Sequence, residues 1–365
     1  MKEQLLYQIA LTMLPDIGDL TAKKLIAYCG GVEAVFSDSV NSLRKIPNIS
    51  SKVINSIRNQ QVFADAEKEI KFIESNHIKP LFYLDKDYPQ RLKSCNDGPL
   101  LLYYKGKADL NVQKTLAIVG TRQPTEYAQD LCSSIIKDLR NSGILIVSGL
   151  AYGIDSCAHK ASLKNGLDTI GVLGHGLDRI YPAQNNSLAN EMIKKGGLLT
   201  EFRNGVKPDR QNFPMRNRIV AGMTDATLVI ESKARGGSLI TAYLAFNYNR
   251  DVFAVPGRPS DINSVGCNNL IKNNVAQLIF SSSDIKKALN WDIDDTISAP
   301  QKQLFIELDD TEQKIIDVMS FEDDLSIDVI SINSGFPMSK TAVILLNLEF
   351  KGLVKTLPGK QYRKI

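Results

Sequence analysis

No apolar run in the 365-residue chain approaches the roughly 18 residues that a membrane span needs, and Met1-Lys2-Glu3-Gln4 leads into an amphipathic pattern rather than a signal-peptide core. Cytoplasmic residence with no membrane contact is the expectation. Cysteine is scarce: Cys29, Cys95, Cys132, Cys157 and Cys267 are odd in number, widely spaced and without a CxxC pair. That disfavours both a disulfide framework and a zinc site, and fits a reducing compartment. No pair of His, Cys or carboxylates has metal-ligand spacing, so no metal is expected. Nucleotide and nucleophile signatures are missing as well. The chain has no GxxxxGK followed by Ser or Thr, Gly174-x-Gly176 lacks the third glycine of GxGxxG, and Ser148 lies in Ser-Gly-Leu-Ala rather than in a GxSxG elbow. His159, on a helical stretch, and His175, in a loop, read as ordinary residues of those elements rather than as bases. The absences together argue against an enzyme and against a resident cofactor.

What is present is a central stretch of short apolar runs alternating with helical segments. Leu116–Val119, Ile144–Val147, Thr169–Leu173, Leu198–Thr200, Leu228–Ile230 and Val252–Val255 are rich in Ile, Val and Leu and apolar on both faces. They predict six buried parallel strands, covered by helices on either side. Between them the pattern predicts helices near 125–141, 154–164, 183–195, 215–223 and 238–249. The fold class is therefore α/β, an extended Rossmann-like doubly wound parallel sheet. Two further strand-like runs, Leu81–Leu84 and Leu100–Tyr104, are expected to add an edge to that sheet.

The flanks have a different character. Residues 1–75 predict a small helical domain of helix-hairpin-helix (SAM-like) type, in which Leu14-Pro15-Asp16-Ile17-Gly18 is repeated about 32 residues later as Ile46-Pro47-Asn48-Ile49-Ser50. Residues 79–290 form the Rossmann-like domain, 291–308 a polar linker, and 309–365 a winged helix whose wing turns at Pro358-Gly359. The net charge of +4 is unevenly divided: 0 over residues 1–78, +9 over 79–290, −3 over 291–308 and −2 over 309–365. An anionic partner would meet the central domain. The neutral N-terminal module favours an auxiliary role, and the acidic winged helix favours contact with a protein over a DNA groove.

In an open parallel sheet the loops at the carboxyl ends of the strands share one edge, where ligands bind. Those loops carry amides, guanidinium groups and rings. Gly120, Thr121 and Arg122 follow the first central strand; Gly149 and Tyr152 follow the second; Phe213, Arg216, Asn217 and Arg218 surround a proline-started helix; Gly236, Gly237 and Ser238 open another. Glycines let backbone N–H groups approach a phosphate at a helix N-terminus, an Arg forks onto phosphate, and Phe213 or Tyr152 offers a ring to an unpaired base. Single-stranded nucleic acid fits this inventory. A small nucleotide bound at the same edge, by an enzyme or a sensor, is the alternative. A third reading, from the flanking modules, is a dimeric interaction scaffold.

The motifs at 120–122, 148–155, 174–182, 213–222, 236–242 and 252–257 strongly resemble, in order and spacing, the DprA/Smf family of DNA-processing proteins, and the flanking modules match the family's fuller architectures. The resemblance implies a protein, usually a homodimer, that binds incoming single-stranded DNA in natural transformation and loads the recombinase RecA onto it, with no demonstrated need for a nucleotide. It implies Arg122 and the Phe213, Arg216, Asn217, Arg218 block as DNA contacts. The chain departs from the family pattern at Ala183 and Tyr152, where other members carry a basic residue; at Tyr152 stacking would replace charge.

Overall fold

The computed structural model describes residues 2–58, 61–291, 308–319, 325–357 and 361–364. It separates into two compact units, residues 1–291 and 292–365. Of the expected linker only Trp291 and Leu308 are among the described residues, and the Pro358-Gly359 turn lies outside them.

Nine strands build the sheet of the first unit: β1 (Lys79–Phe82), β2 (Leu101–Gly106), β3 (Lys114–Gly120), β4 (Ile144–Ser148), β5 (Thr169–Val172), β6 (Gly197–Thr200), β7 (Ala226–Ile230), β8 (Asp251–Ala254) and β9 (Gln277–Leu278). Their order is β1-β2-β6-β5-β4-β3-β7-β8-β9. From β6 through β9 all pairings are parallel, while β1 and β2 add an antiparallel edge. The six expected parallel strands and the added edge are all present. Alternation along each strand explains why both faces are apolar. In β3, Leu116 and Ile118 pack with Ile135 and Ile154 of the helices on one side. Ala117 and Val119 pack with Ile219 and Ala245 on the other.

The connectivity locates the site. The chain leaves β3 for β4, β5 and β6 in one direction and then returns to β7 on the opposite flank of β3. The loops after β3 and β7 therefore diverge from neighbouring strands, leaving a crevice at the carboxyl edge of the sheet.

Six N-terminal helices, beginning at Lys2, Asp19, Val32, Val40, Ser51 and Gln61, surround a core that includes Leu25, Val35, Leu43 and Ile57. The repeat is geometric as well as sequential: Asp16 and Asn48 take φ of 62° and 59°, and helices start at Asp19 and Ser51. Where the first copy has Gly18, the second has Ser50, whose hydroxyl accepts from the Val53 amide at 3.4 Å and caps the helix. The helical core extends onto the sheet edge. Leu101 and Tyr103 of β2 face the helices, and Leu102 and Tyr104 face the central core. Asp19 accepts from the Leu100 amide at 2.8 Å, so the first hairpin is docked on its own chain.

In the second unit, helices Asp310–Val318, Ile327–Ser334 and Met338–Phe350 pack Ile315, Ile330, Leu345 and Leu348 against Val354 of the wing. Its strands pair in the order Leu325–Ser326, Gln361–Lys364, Val354–Leu357. No single helix among the described residues is long and apolar enough to cross a membrane; only the last two helices of this unit, bent by 107°, pass jointly by length and composition.

Candidate nucleic-acid interface

A cleft of about 690 Å³ opens at the crevice beside β3 and β7. One wall is the turn after β3. Gly120 is packed so closely that a Cβ there would sit 2.0 Å from the Ile230 carbonyl oxygen, and the Thr121 amide donates to the Glu231 carbonyl at 2.8 Å. This fixes the loop and projects Arg122 outward. Arg122 is exposed, and its guanidinium carbon lies 5.7 Å from the centre of the Phe213 ring. Phe213 rests on Gly174 and stands 6.1 Å from the exposed Tyr181 ring, tilted by 33°. One cation and two rings thus form a platform.

The opposite wall is the start of the Gly237–Asn247 helix. Gly236 precedes it and no side chain caps it, and Gly236, Gly237 and Ser238 line the cleft, so the positive end of the helix dipole lies at this wall. The Ser238 hydroxyl is turned inward and donates to Ser232 Oγ at 3.0 Å.

The floor is a buried pair of opposite charges. Arg216 is 6% exposed, donates to the Val172 carbonyl, and is held by a 3.2 Å bond from its Nε to the Asn217 side-chain oxygen. Burial lowers the Arg216 pKa, and the nearby Asp155 raises it; burial pushes the Asp155 carboxyl up against the pull of Arg216. Gly149 makes room for both: a Cβ there would lie 2.3 Å from the Arg216 guanidinium and 2.3 Å from the Asp155 carboxylate. His159, fully buried, donates from Nε2 to the Gly149 carbonyl at 2.7 Å, and burial holds its pKa down to about 4. It is a neutral brace. We expect Gly149→Ala to cost about 1–3 kcal/mol of stability by overpacking, read as a fall in thermal midpoint; an unchanged midpoint would show the pair to be loosely held.

Of the residues expected at the site, Gly120, Thr121, Arg122, Gly149, Phe213, Arg216, Asn217, Gly236, Gly237 and Ser238 all line this cleft. Tyr152 does not; it lies next door, beside Arg122, with its hydroxyl bonded to Gln184. Arg218 is a correction. Its guanidinium is buried on the far side of the helix, bonded to Glu201, to Asp19 at 3.2 Å and to the Asp97 carbonyl, so it is an internal tie rather than a contact. Residues 216 and 218 of one helix point about 200° apart, and both cannot face one cleft. Sequence reasoning also missed lining residues: Tyr181, Arg210, Lys233 and Arg235. Lys233 and Arg235 directly precede the Gly-Gly turn, a position that could have drawn attention to them.

Five cations, Arg122, Arg210, Arg216, Lys233 and Arg235, line the cleft against one carboxylate, Asp155. Among the described residues, no group of three or more His, Cys, Asp or Glu is placed to hold a metal. Fold and cleft define a Rossmann-like protein with a cationic crevice at its topological switch point.

The chain belongs to the DNA recombination-mediator protein A (DprA) family, a family of DNA-processing proteins. The family model covers residues 79–290, and that of the DprA winged helix domain covers residues 299–360. It is 33% identical to Protein Smf of Synechocystis sp. over 98% of both chains. It is similar in structure to DNA processing protein A of Streptococcus pneumoniae, with a TM-score of 0.62 and 33% identity over 77% of this chain and 95% of that one. A structure of DNA processing protein A from Helicobacter pylori, described for its unique single-stranded DNA binding mode, matches with a TM-score of 0.53 and 29% identity over 58% of this chain and 95% of that one.

Proposed function

We propose that this protein binds single-stranded DNA in the cleft beside β3 and β7 and hands it to a recombinase of the RecA class, acting as a homodimer and without catalysing a reaction. The convergence of Arg122, Arg210, Lys233 and Arg235 with an uncapped helix N-terminus around the Phe213 and Tyr181 rings carries this reading. Cations and amides take phosphates irrespective of sequence, and the rings select bases that are unpaired. The Helicobacter relative's single-stranded DNA binding supports it.

The winged helix supports a protein partner. Its last helix exposes Val343, Leu346 and Phe350, and Lys340, its one basic residue, stacks over Phe336 at 4.6 Å. A helix that reads a duplex groove presents cations there, and this one presents apolar side chains.

The test is fluorescence anisotropy of labelled oligothymidine over a salt series, with unlabelled duplex as competitor. Binding that weakens steeply with salt and resists duplex of equal length is the expected result. Equal competition by duplex would refute single-strand selectivity. Thermal stabilisation by a mononucleotide without oligonucleotide binding would move the cleft to the nucleotide reading.

A further inference from the structure

Beyond the cleft, a second concavity of about 1,420 Å³ runs between the helices Glu126–Asp138 and Ile154–Lys164. Its geometry follows from helix periodicity. Residues 129, 133 and 137 form one i, i+4 stripe, and 157, 160, 161 and 164 form the facing one. The floor is made of short side chains, Ser133, Cys157 and Ala161, which keeps the groove open. The rims carry Lys137, Lys160 and Lys164, all exposed.

Three features separate this groove from an ordinary solvated surface. No Asp or Glu lines it. None of the three lysines makes an ion pair among the described residues. And the groove is continuous with the cleft, because Thr121, Arg122 and Lys233 line both, with Tyr152 exposed at the junction. Lysines in a last helical turn complement the helix dipole, which accounts for Lys137 and Lys164 taken singly. It does not account for Lys160, nor for a carboxylate-free track that leads into Arg122.

We infer that this groove carries the continuation of the nucleic-acid strand, its lysines binding phosphates of the segment that leaves the cleft past Arg122 and Tyr152. The inference rests on the proposed single-strand function and adds a direction of exit and a longer footprint to it. Nucleic acid is favoured over an acidic peptide because the groove and the phosphate-binding cleft share Arg122 and Lys233, so one continuous polyanion satisfies both.

The test compares wild type with Lys137→Gln/Lys160→Gln/Lys164→Gln on oligothymidines of about 6 and about 20 nucleotides, lengths that bracket the span of a single site. The short oligonucleotide should bind both proteins alike. The long one should bind the variant roughly tenfold more weakly, with a salt slope reduced by about 2, from three phosphate contacts at ~0.7 each. Equal affinity and slope for the long strand, or equal weakening of both strands, overturns the groove while leaving the cleft reading in place. Failure of wild type to bind either oligonucleotide strikes the cleft reading instead.

A second measurement needs no variant. Cys157 lies half-buried on the groove floor, and its thiol is drawn down to about 6 by hydrogen bonds from Cys132 and Ser133 and by Lys160. It should be the cysteine that iodoacetamide alkylates fastest, and the long oligonucleotide should protect it where the short one does not. Alkylation unaffected by the long strand, or blocked only by a polyglutamate peptide, overturns the inference.

Discussion

Arg122→Ala should weaken oligothymidine binding by one to two orders of magnitude, corresponding to the roughly 1.5–3 kcal/mol of a hydrogen bond to a charged group, and should flatten the salt slope by about 0.7 for one lost phosphate contact. The fold should be unaffected. Arg122 is exposed and makes no hydrogen bond or ion pair among the described residues. Its guanidinium lies over the face of Phe213, 5.7 Å from the ring centre, where it can hold the ring and a phosphate at the same time. Arg122→Lys separates the two contributions: it keeps the charge and the salt slope but loses the planar fork, and its affinity should fall between wild type and Arg122→Ala. Anisotropy titrations over a salt series measure all three. If wild type and Arg122→Ala bound alike with equal slopes, the strand would not cross this edge of the sheet.

The sheet was legible in the sequence because strands buried on both faces hold few polar residues, so unbroken apolar runs such as Leu116–Val119 and Ile144–Val147 stand out. β9 was not, because Gln277 and Leu278 are exposed and two residues carry no periodicity. At the site, glycines and the Phe213 block were visible because each marks a backbone or ring requirement. Arg210, Lys233 and Arg235 were not, because a cation in a loop looks the same whether it faces a cleft or solvent. Arg218 was misplaced for the opposite reason. Its neighbours in sequence named a motif, but its partners, Asp19 and Glu201, come from another helix and from the end of β6, and their approach is decided by tertiary packing.

That packing makes Arg218→Ala the counterpart of Arg122→Ala, with a loss of stability in place of a loss of affinity. The Arg218 and Glu201 side chains are 11% and 10% exposed, and Asp19, which also anchors the Leu100 amide, belongs to the first helical hairpin. Removing the guanidinium leaves the buried Glu201 carboxylate without its cation, while Asp19 keeps the neighbouring Lys23; breaking a buried pair in this way typically costs about 3–5 kcal/mol and lowers the thermal midpoint by on the order of 10 °C. The pH dependence identifies the cause. Burial already raises the Glu201 carboxyl to about 7, with Arg218 pulling against it. A carboxyl whose folded pKa is raised contributes stability that is complete below its unfolded value and is lost as pH rises through the folded one. Without Arg218 the Glu201 pKa rises further, so the variant's deficit against wild type should be largest near pH 8 and shrink toward pH 5, where both proteins carry a protonated Glu201. A deficit independent of pH would mean that Arg218 acts through packing alone. At a temperature where the variant is folded, its oligothymidine affinity and salt slope should match wild type, because the guanidinium lies outside the cleft. A binding loss there comparable to that of Arg122→Ala would return Arg218 to the strand's path.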